Sequence, residues 1–260
     1  MAKPFRLKTE EEIKRIRAAC EIINNIFYRL GSFDFEGLSA DELDSFIESC
    51  ILKKRGRPAF KTVKGYGYAS CISVNSEAAH GIPTKKKLFK NGDIIKIDIG
   101  VSLNGYFGDS CFAFTAGSPG PEVQKVRRTA YSCLKAAIEQ VRDGSTAGDV
   151  GHAIHSTASA AGCSVVTAFS GHGVGFALHE PPRIPNRGAK NTGVRLRKGM
   201  VLALEPMVNL GGPEVRITKD GWTALSSDGS LSAQFEHTVA VTGSGCEVLT
   251  DFSYLTEGLE

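Results

Sequence analysis

Four carboxylates and three histidines recur along this 260-residue chain in an order that repeats. Lys90-Asn91-Gly92-Asp93-Ile94-Ile95-Lys96-Ile97-Asp98 aligns, 107 positions on, with Arg197-Lys198-Gly199-Met200-Val201-Leu202-Ala203-Leu204-Glu205. The same offset aligns Gly37-Leu38-Ser39-Ala40-Asp41-Glu42-Leu43 with Gly144-Ser145-Thr146-Ala147-Gly148-Asp149-Val150. An offset of 99 matches Ala79-His80-Gly81-Ile82-Pro83 to Leu178-His179-Glu180-Pro181-Pro182. Each half then carries a second acid, Asp109 in one and Glu236 in the other. One such match could be chance; agreement of spacing, residue type and order argues against it. Four acids and one or two imidazoles, with no thiolate, make an oxygen-rich site that suits paired Mn, Fe, Co or Zn. Two such ions ~3.5–4 Å apart can hold a hydroxide and polarise a carbonyl. The chemistry is metal-assisted hydrolysis.

The first acid pair has a readable geometry. Asp93–Ser102 is strand-like, Asn104-Gly105 is a strong hairpin signal, and Tyr106–Thr115 reads as the return strand. A two-residue turn sets Leu103 against Tyr106 and Gly100 against Asp109. Asp98 then lies diagonal to Asp109 on the same face, with Cβ atoms ~7 Å apart or less, and Gly100 leaves that spot open. A carboxylate within Ile94-Ile95-Lys96-Ile97-Asp98-Ile99 is costly to bury unpaired, which favours ligation over a solvated acid. Glu205 ends an apolar run, and Pro206 after it forces extended backbone. Glu236 faces away from Phe235, His237 and Val239; by itself it reads as an exposed strand acid. His172 is glycine-flanked in Gly171-His172-Gly173, as expected where backbone and ligand approach closely. His80 and His179 are matched by the repeat, whereas His152, His155 and His237 read as structural.

The elements that must position these groups follow the same repeat. Thr9-Glu10-Glu11-Glu12 is a capping box opening a helix through Leu30, and Ser39-Ala40-Asp41-Glu42 opens a second that ends by Gly56. Strands are expected around 69–74 and 93–102. Pro121 starts a third helix, a shorter one spans about 147–161, and strands return around 164–168, 200–208 and 235–242. The fold class is α+β with pseudo-twofold symmetry. Halves of about 8–118 and 119–250 share a sheet and a core, in a single catalytic domain over 1–260.

Bulk properties bound the remaining choices. Hydrophobic residues make up 42% and charged residues 23%, as in packed water-soluble domains. No apolar run approaches the ~20 residues of a membrane span, and the N-terminus lacks a signal-peptide core. Seven scattered cysteines without Cys-x-x-Cys favour reduced thiols and a cytoplasmic location. A net charge of +3 does not by itself indicate a nucleic-acid partner. Lys53-Lys54-Arg55-Gly56-Arg57 and Lys85-Lys86-Lys87 read first as solvated segments and, as the sharper alternative, as contacts to an anionic partner. Monomer is the default oligomeric state.

Several motifs carry a family resemblance: Cys71-Ile72-Ser73-Val74-Asn75, His80-Gly81-Ile82-Pro83, Asp98, Asp109, Gly171-His172-Gly173, His179-Glu180-Pro181, Glu205-Pro206-Met207-Val208-Asn209, Asp220-Gly221-Trp222-Thr223 and Ser232-Ala233-Gln234-Phe235-Glu236-His237-Thr238. With them the chain resembles the short bacterial form of type I methionine aminopeptidase, of peptidase family M24, over nearly its whole length. The resemblance implies a pita-bread fold and two divalent ions (Co, Mn, Fe or Zn) on Asp98, Asp109, His172, Glu205 and Glu236, with Asp109 and Glu236 bridging. It implies removal of N-terminal methionine, ahead of a small second residue, from nascent polypeptides and peptides through a dinuclear-metal-activated hydroxide. Glu205 would shuttle the proton, His179 would stabilise the oxyanion, and His80 would contact the next amide. Phe60, Tyr66, Cys71, Leu178 and Trp222, with His80 and His179, would bind substrate. Leu178 stands where an aromatic residue is usual, and Gly67 where proline is common. The chain shows neither the type II insertion between Glu205 and Glu236 nor, ahead of the first helix, the extra domain of prolidase. Two competing readings are an X-Pro aminopeptidase of the same fold and a ribosome-associated binding module; the second predicts missing ligands, and all five are present.

Overall fold

The computed structural model describes residues 5–259. The first helix, α1 (Glu10–Leu30), begins where a capping box makes it begin: the Thr9 hydroxyl accepts from Glu12 N–H, and the Glu12 carboxylate accepts from Thr9 N–H. Its buried face, including Ile16, Ile23, Phe27 and Leu30, recurs at helical spacing. That face packs on the hairpin, where Phe27 meets Phe112 and Phe114 at ring separations of 6.3 and 6.2 Å.

The sequence repeat is also a repeat of local structure. Ser39 and Thr146 cap α2 (Ala40–Lys53) and α4 (Ala147–Ala160), each 14 residues long and each with a reciprocal box, to Glu42 and to Asp149. Ser39 bridges to Leu88 and Thr146 to Arg195, again at the same offset. Gly92 and Gly199, at φ 88° and 89°, turn the chain into Asp98 and Glu205 strands in a conformation that favours glycine. The remaining long helix, α3 (Pro121–Gln140), starts on Pro121 as expected. One hydrophobic cluster joins residues of both halves, from Ile23 and Phe112 to Leu134 and Leu204.

The hairpin keeps the expected register. Ile94–Leu103 pairs with Tyr106–Thr115, Leu103 opposite Tyr106 and Gly100 opposite Asp109, and Asn104 and Gly105 take φ 51° and 83° at the turn. The other edge of Ile94–Leu103 carries Ser70–Val74, with Cys71 opposite Asp98.

One expected strand is broken in two, and its partner starts later than expected. The 200–208 strand is Val201–Leu204, which pairs with His237–Val241, and Met207–Asn209, which pairs with Ser232–Gln234 in a different sheet. The 235–242 strand begins only at His237, and Phe235-Glu236 separates it from Ser232–Gln234. Proline causes the break, since Pro206 has no N–H to continue a ladder. The 164–168 strand shrinks to Ser164–Val165, and short strands at Ser170–Gly173 and Glu180–Pro185 carry no periodic signal.

Candidate metal centre

The two halves are stitched together at the acids. Asp109 N–H donates to Thr238 Oγ1 at 3.1 Å, and that hydroxyl donates back to Asp109 O at 2.7 Å. Glu236 N–H donates to Cys111 O at 2.9 Å, and Ser110 Oγ donates to Glu236 O at 2.6 Å. These bonds occupy the backbone and leave the carboxylates pointing away from the ladder. Asp109 and Glu236 are buried, and an oxygen of each, together with one of Asp98, has no hydrogen-bond partner. Such groups cost of order 1–3 kcal/mol each unless a ligand satisfies them.

Three overlapping groups of possible ligand atoms lie within 4.8 Å of one another: Asp98 with Asp109 and Glu236; His172 with Glu205 and Glu236; Asp109 with His172 and His179. His172 Nε2 stands 3.4 Å from Glu205 Oε1 and 3.8 Å from Asp109 Oδ2. Its Nδ1 lies 3.0 Å from Gly173 O, which assigns the proton to Nδ1 and leaves Nε2 as the free donor atom for a metal. The flanking glycines make room for protein backbone rather than for a ligand: a Cβ at Gly171 would strike Ala203 O, and one at Gly173 would strike Pro181 O.

Electrostatics make the case for cations. Burial raises Asp109, and the charges of Asp98 and Glu205 raise it further. Burial raises Glu236 and Glu205 as well, with neighbouring carboxylates adding to the effect. Asp98 is raised to about 7, mainly by burial. Burial also holds His172 neutral, down to about 3, with His179 adding a smaller push. A cluster of acids that resist ionisation beside an imidazole that resists protonation is a poor ion-pair network and a good divalent-cation site. The donor set therefore fits the expected ions.

A cavity of about 160 Å³ joins this acidic wall to Phe60, Val63, Tyr66, Cys71, His80, His179 and Trp222. Tyr66 sits edge-on to Phe60 and to Trp222, at 6.3 and 5.0 Å, and its hydroxyl donates to Ser70 O at 2.9 Å. Asp220 accepts from Trp222 N–H and Thr223 N–H at 2.8 and 2.9 Å, fixing the loop that presents the indole. Two expectations change here. Gly100 does not leave open space beside Asp109, because a Cβ there would lie 2.8 Å from the Phe60 ring, which fills the position. Leu178 packs in the apolar cluster of Ala59, Phe60, Tyr66 and Cys71 but does not line the cavity.

His80 and His179 both line the cavity and the groove outside it. Burial and His179 hold His80 down to about 4, and burial lowers His179. The His172 and His179 rings are 4.5 Å apart, edge to face. The loop after His80 is tied to Ser70–Val74 by Ile72 N–H donating to Gly81 O at 2.8 Å and by Gly81 N–H donating to Ser73 Oγ at 2.9 Å. Reasoning from sequence missed three contributors. Val63 lines the cavity, and Phe169 stands edge-on to His80 at 4.8 Å. The third, Asp44, accepts from Ala69 N–H, Ser70 N–H and Ser70 Oγ and anchors the strand carrying Cys71. Phe169 and Asp44 have no local signal, because each acts through residues far along the chain, and Val63, between Phe60 and Tyr66, lies in a loop that no periodicity marks.

His237, read as structural, stacks on Phe252 at 3.9 Å and faces Thr250 Oγ1 at 2.8 Å. His152 lies 3.5 Å from Ser156 Oγ on α4, and His155 belongs to no metal-holding group among the described residues. Of the basic clusters, Lys53, Lys54, Arg55, Arg57, Lys85 and Lys86 are exposed. Lys87 departs from expectation: its ammonium donates to Glu77 Oε2 at 2.7 Å and to Ile72 O at 2.9 Å. Among the described residues no helix is long and apolar enough to cross a membrane.

The model of metallopeptidase family M24 matches residues 14–243. The chain belongs to family M24. Within M24 it is 39% identical to the methionine aminopeptidase of Aquifex aeolicus over 94% of this chain and 98% of that one. It is 40% identical to methionine aminopeptidase 1 of Bacillus subtilis, over 94% and 98%. The crystal structure of the Thermotoga maritima methionine aminopeptidase superposes with a TM-score of 0.93 at 40% identity, covering 96% of this chain and all of that one. The prolidase of Pyrococcus furiosus, another pita-bread protein, gives a TM-score of 0.75 at 26% identity and extends well beyond this chain, which covers 66% of it. The M24 member described here is thus a metallopeptidase with the pita-bread fold.

Proposed function

We propose that the chain removes N-terminal methionine from peptides and nascent proteins whose second residue is small, using two divalent ions held by Asp98, Asp109, His172, Glu205 and Glu236. The observation that carries this reading is the single 160 Å³ cavity in which the four carboxylates and His172 meet Phe60, Tyr66, Cys71 and Trp222. Methionine suits that apolar end, because its unbranched thioether packs well on aromatic edges. When bound, the ions would supply a Lewis-acid pair that lowers the pKa of a water and polarises the scissile carbonyl.

The remaining work falls to the chain's own groups. Glu205, half-buried and open to the cavity, accepts the proton of the attacking water and passes it to the leaving amine. Neutral His179 donates to the carbonyl oxygen as charge develops there. His80 contacts the following amide. The apolar end takes the methionine side chain, and the substrate's free amine would be held on the side of the four carboxylates, which restricts cleavage to a free N-terminus. His80, His172, His179 and Glu205 line the passage out of the cavity, where the second residue would lie, and these fixed side chains would favour a small one there.

Metal-depleted protein re-supplied in turn with Mn, Fe, Co and Zn should cleave Met-Ala-Ser and leave a Leu-Pro peptide intact. Cleavage of Leu-Pro in preference would overturn the specificity. Exposed cations at 53–57 and at Lys85 and Lys86 give a docking surface for ribosomal RNA, where nascent chains emerge. Charge reversal there should weaken ribosome co-sedimentation; unchanged co-sedimentation would reject that contact.

A further inference from the structure

The closed cavity opens outward into a groove of about 740 Å³, and the two share His80, His172, His179 and Glu205. If the substrate's first residue occupies the apolar end, the rest of its chain can leave along this groove. The rest of its lining is mainly apolar, with Ser170, Glu180 and the exposed Arg183 as the polar exceptions. Phe5 and Val194, each 38% exposed and among the few large apolar side chains left in solvent, line the groove together with Phe169, Pro181 and Pro182. A lone exposed Leu or Val needs no explanation, but several converging on one groove continuous with a catalytic pocket mark a binding surface.

The segment bearing Phe5 is held firmly. Lys8 N–H donates to Gly199 O at 2.7 Å. The Lys8 ammonium, only 2% exposed, pairs with Glu180 Oε2 at 2.6 Å. The other Glu180 oxygen accepts from Phe176 N–H and, at 2.9 Å, from Ala177 N–H. Arg6 lies over the Phe176 ring at 4.2 Å. Glu180 directly follows His179, so the clamp that fixes the N-terminal segment also fixes the loop at the mouth. An immobilised wall can select among side chains, because little further ordering is needed when substrate binds.

We propose that this groove is an extended subsite for the substrate residues that follow the second, that it prefers apolar side chains there, and that Phe5 and Val194 determine that preference. The proposal rests on the aminopeptidase reading above. It adds a dependence on sequence well beyond the scissile bond, exerted by a segment outside the catalytic machinery.

The test compares kcat/KM of the manganese-loaded protein on Met-Ala-Gly, Met-Ala-Leu-Leu-Leu-Gly and Met-Ala-Ser-Ser-Ser-Gly. Wild type should favour the leucine hexapeptide over the serine one by about five- to tenfold, as partial burial of two or three apolar side chains implies, and through KM rather than kcat. Phe5→Ala combined with Val194→Ser should bring the two hexapeptides within about twofold of each other, while losing far less on Met-Ala-Gly. Leu7→Ala, a change on the same segment at a side chain that faces away from the groove, should keep the preference. No preference in wild type, a preference surviving in the double variant, or equal losses on all three peptides would overturn the inference. Failure of wild type to cleave even Met-Ala-Gly would overturn the aminopeptidase reading as well, so the two failures are distinguishable. As a second readout, a benzophenone side chain at the fourth position of a Met-Ala peptide should cross-link to residues 5–8 or to the neighbourhood of Val194; cross-links confined to other surfaces would contradict the subsite.

Discussion

The two halves deliver their acids by different means. In the first, Asp98 and Asp109 lie within unbroken ten-residue strands, and hairpin register alone sets their relation. In the second, Glu205 and Glu236 both sit at breaks, where one strand leaves the five-stranded sheet and the chain continues in another. Side chains on a regular strand can reach only its two faces. A break frees backbone direction, so the second pair can be aimed at a target that the first pair defines. One half is thus a fixed template and the other is fitted to it through Thr238 and Ser110.

That asymmetry predicts different consequences at repeat-equivalent positions. Glu205→Gln should lower kcat by about 10²–10⁴ even at saturating metal, because a proton acceptor is lost. Asp98→Asn should behave as a ligand defect, weakening metal binding, with activity returning as metal is raised. Activity titrations against manganese separate the two; equal rescue of both would erase the distinction.

Stability against pH sharpens the comparison next. Each carboxyl whose folded pKa is raised holds its proton more tightly when folded. It therefore adds stability below the unfolded value of about 4, and that stability disappears as pH rises through the folded value, about 7 for Asp98. Buried neutral histidines such as His80 and His172, held below the unfolded value of about 6.5, act in the opposite sense below that pH. Metal-free protein should therefore lose Tm between about pH 6.5 and about pH 8, and manganese should abolish that slope. A flat metal-free profile would mean that the acids do not crowd one another. A smaller effect belongs to the stitch: Thr238→Val removes both hydrogen bonds to Asp109 and should cost about 1–3 kcal/mol, read by urea denaturation, with weaker metal binding. Smallest is Pro206→Ala at the break, at most about 1 kcal/mol through the unfolded chain.

The same contrast explains what could be read from sequence. The capping boxes at Thr9 and Ser39 and the Asn104-Gly105 turn are local, so a few residues suffice to announce each. Asp98 and Asp109 follow from that turn by counting. Glu236 reads as an exposed strand acid because the groups that bury it, Ser110 and Cys111, lie far away in the chain, and alternation cannot reveal a strand that changes sheets. Asp44, Phe169 and the Lys8–Glu180 clamp escaped for the same reason. Gly100 was correctly placed opposite Asp109, but which side chain fills the gap depends on the 60–66 loop, whose path no periodicity encodes. The likeness of motifs supplied the substrate and the roles of the histidines, which spacing alone left open.

The most direct test is anomalous diffraction from crystals soaked in manganese. Two peaks about 3.5–4 Å apart, ringed by Asp98, Asp109, His172, Glu205 and Glu236, are the predicted result. Peaks at other residues, or a cavity that stays free of manganese at saturating concentration, would contradict it.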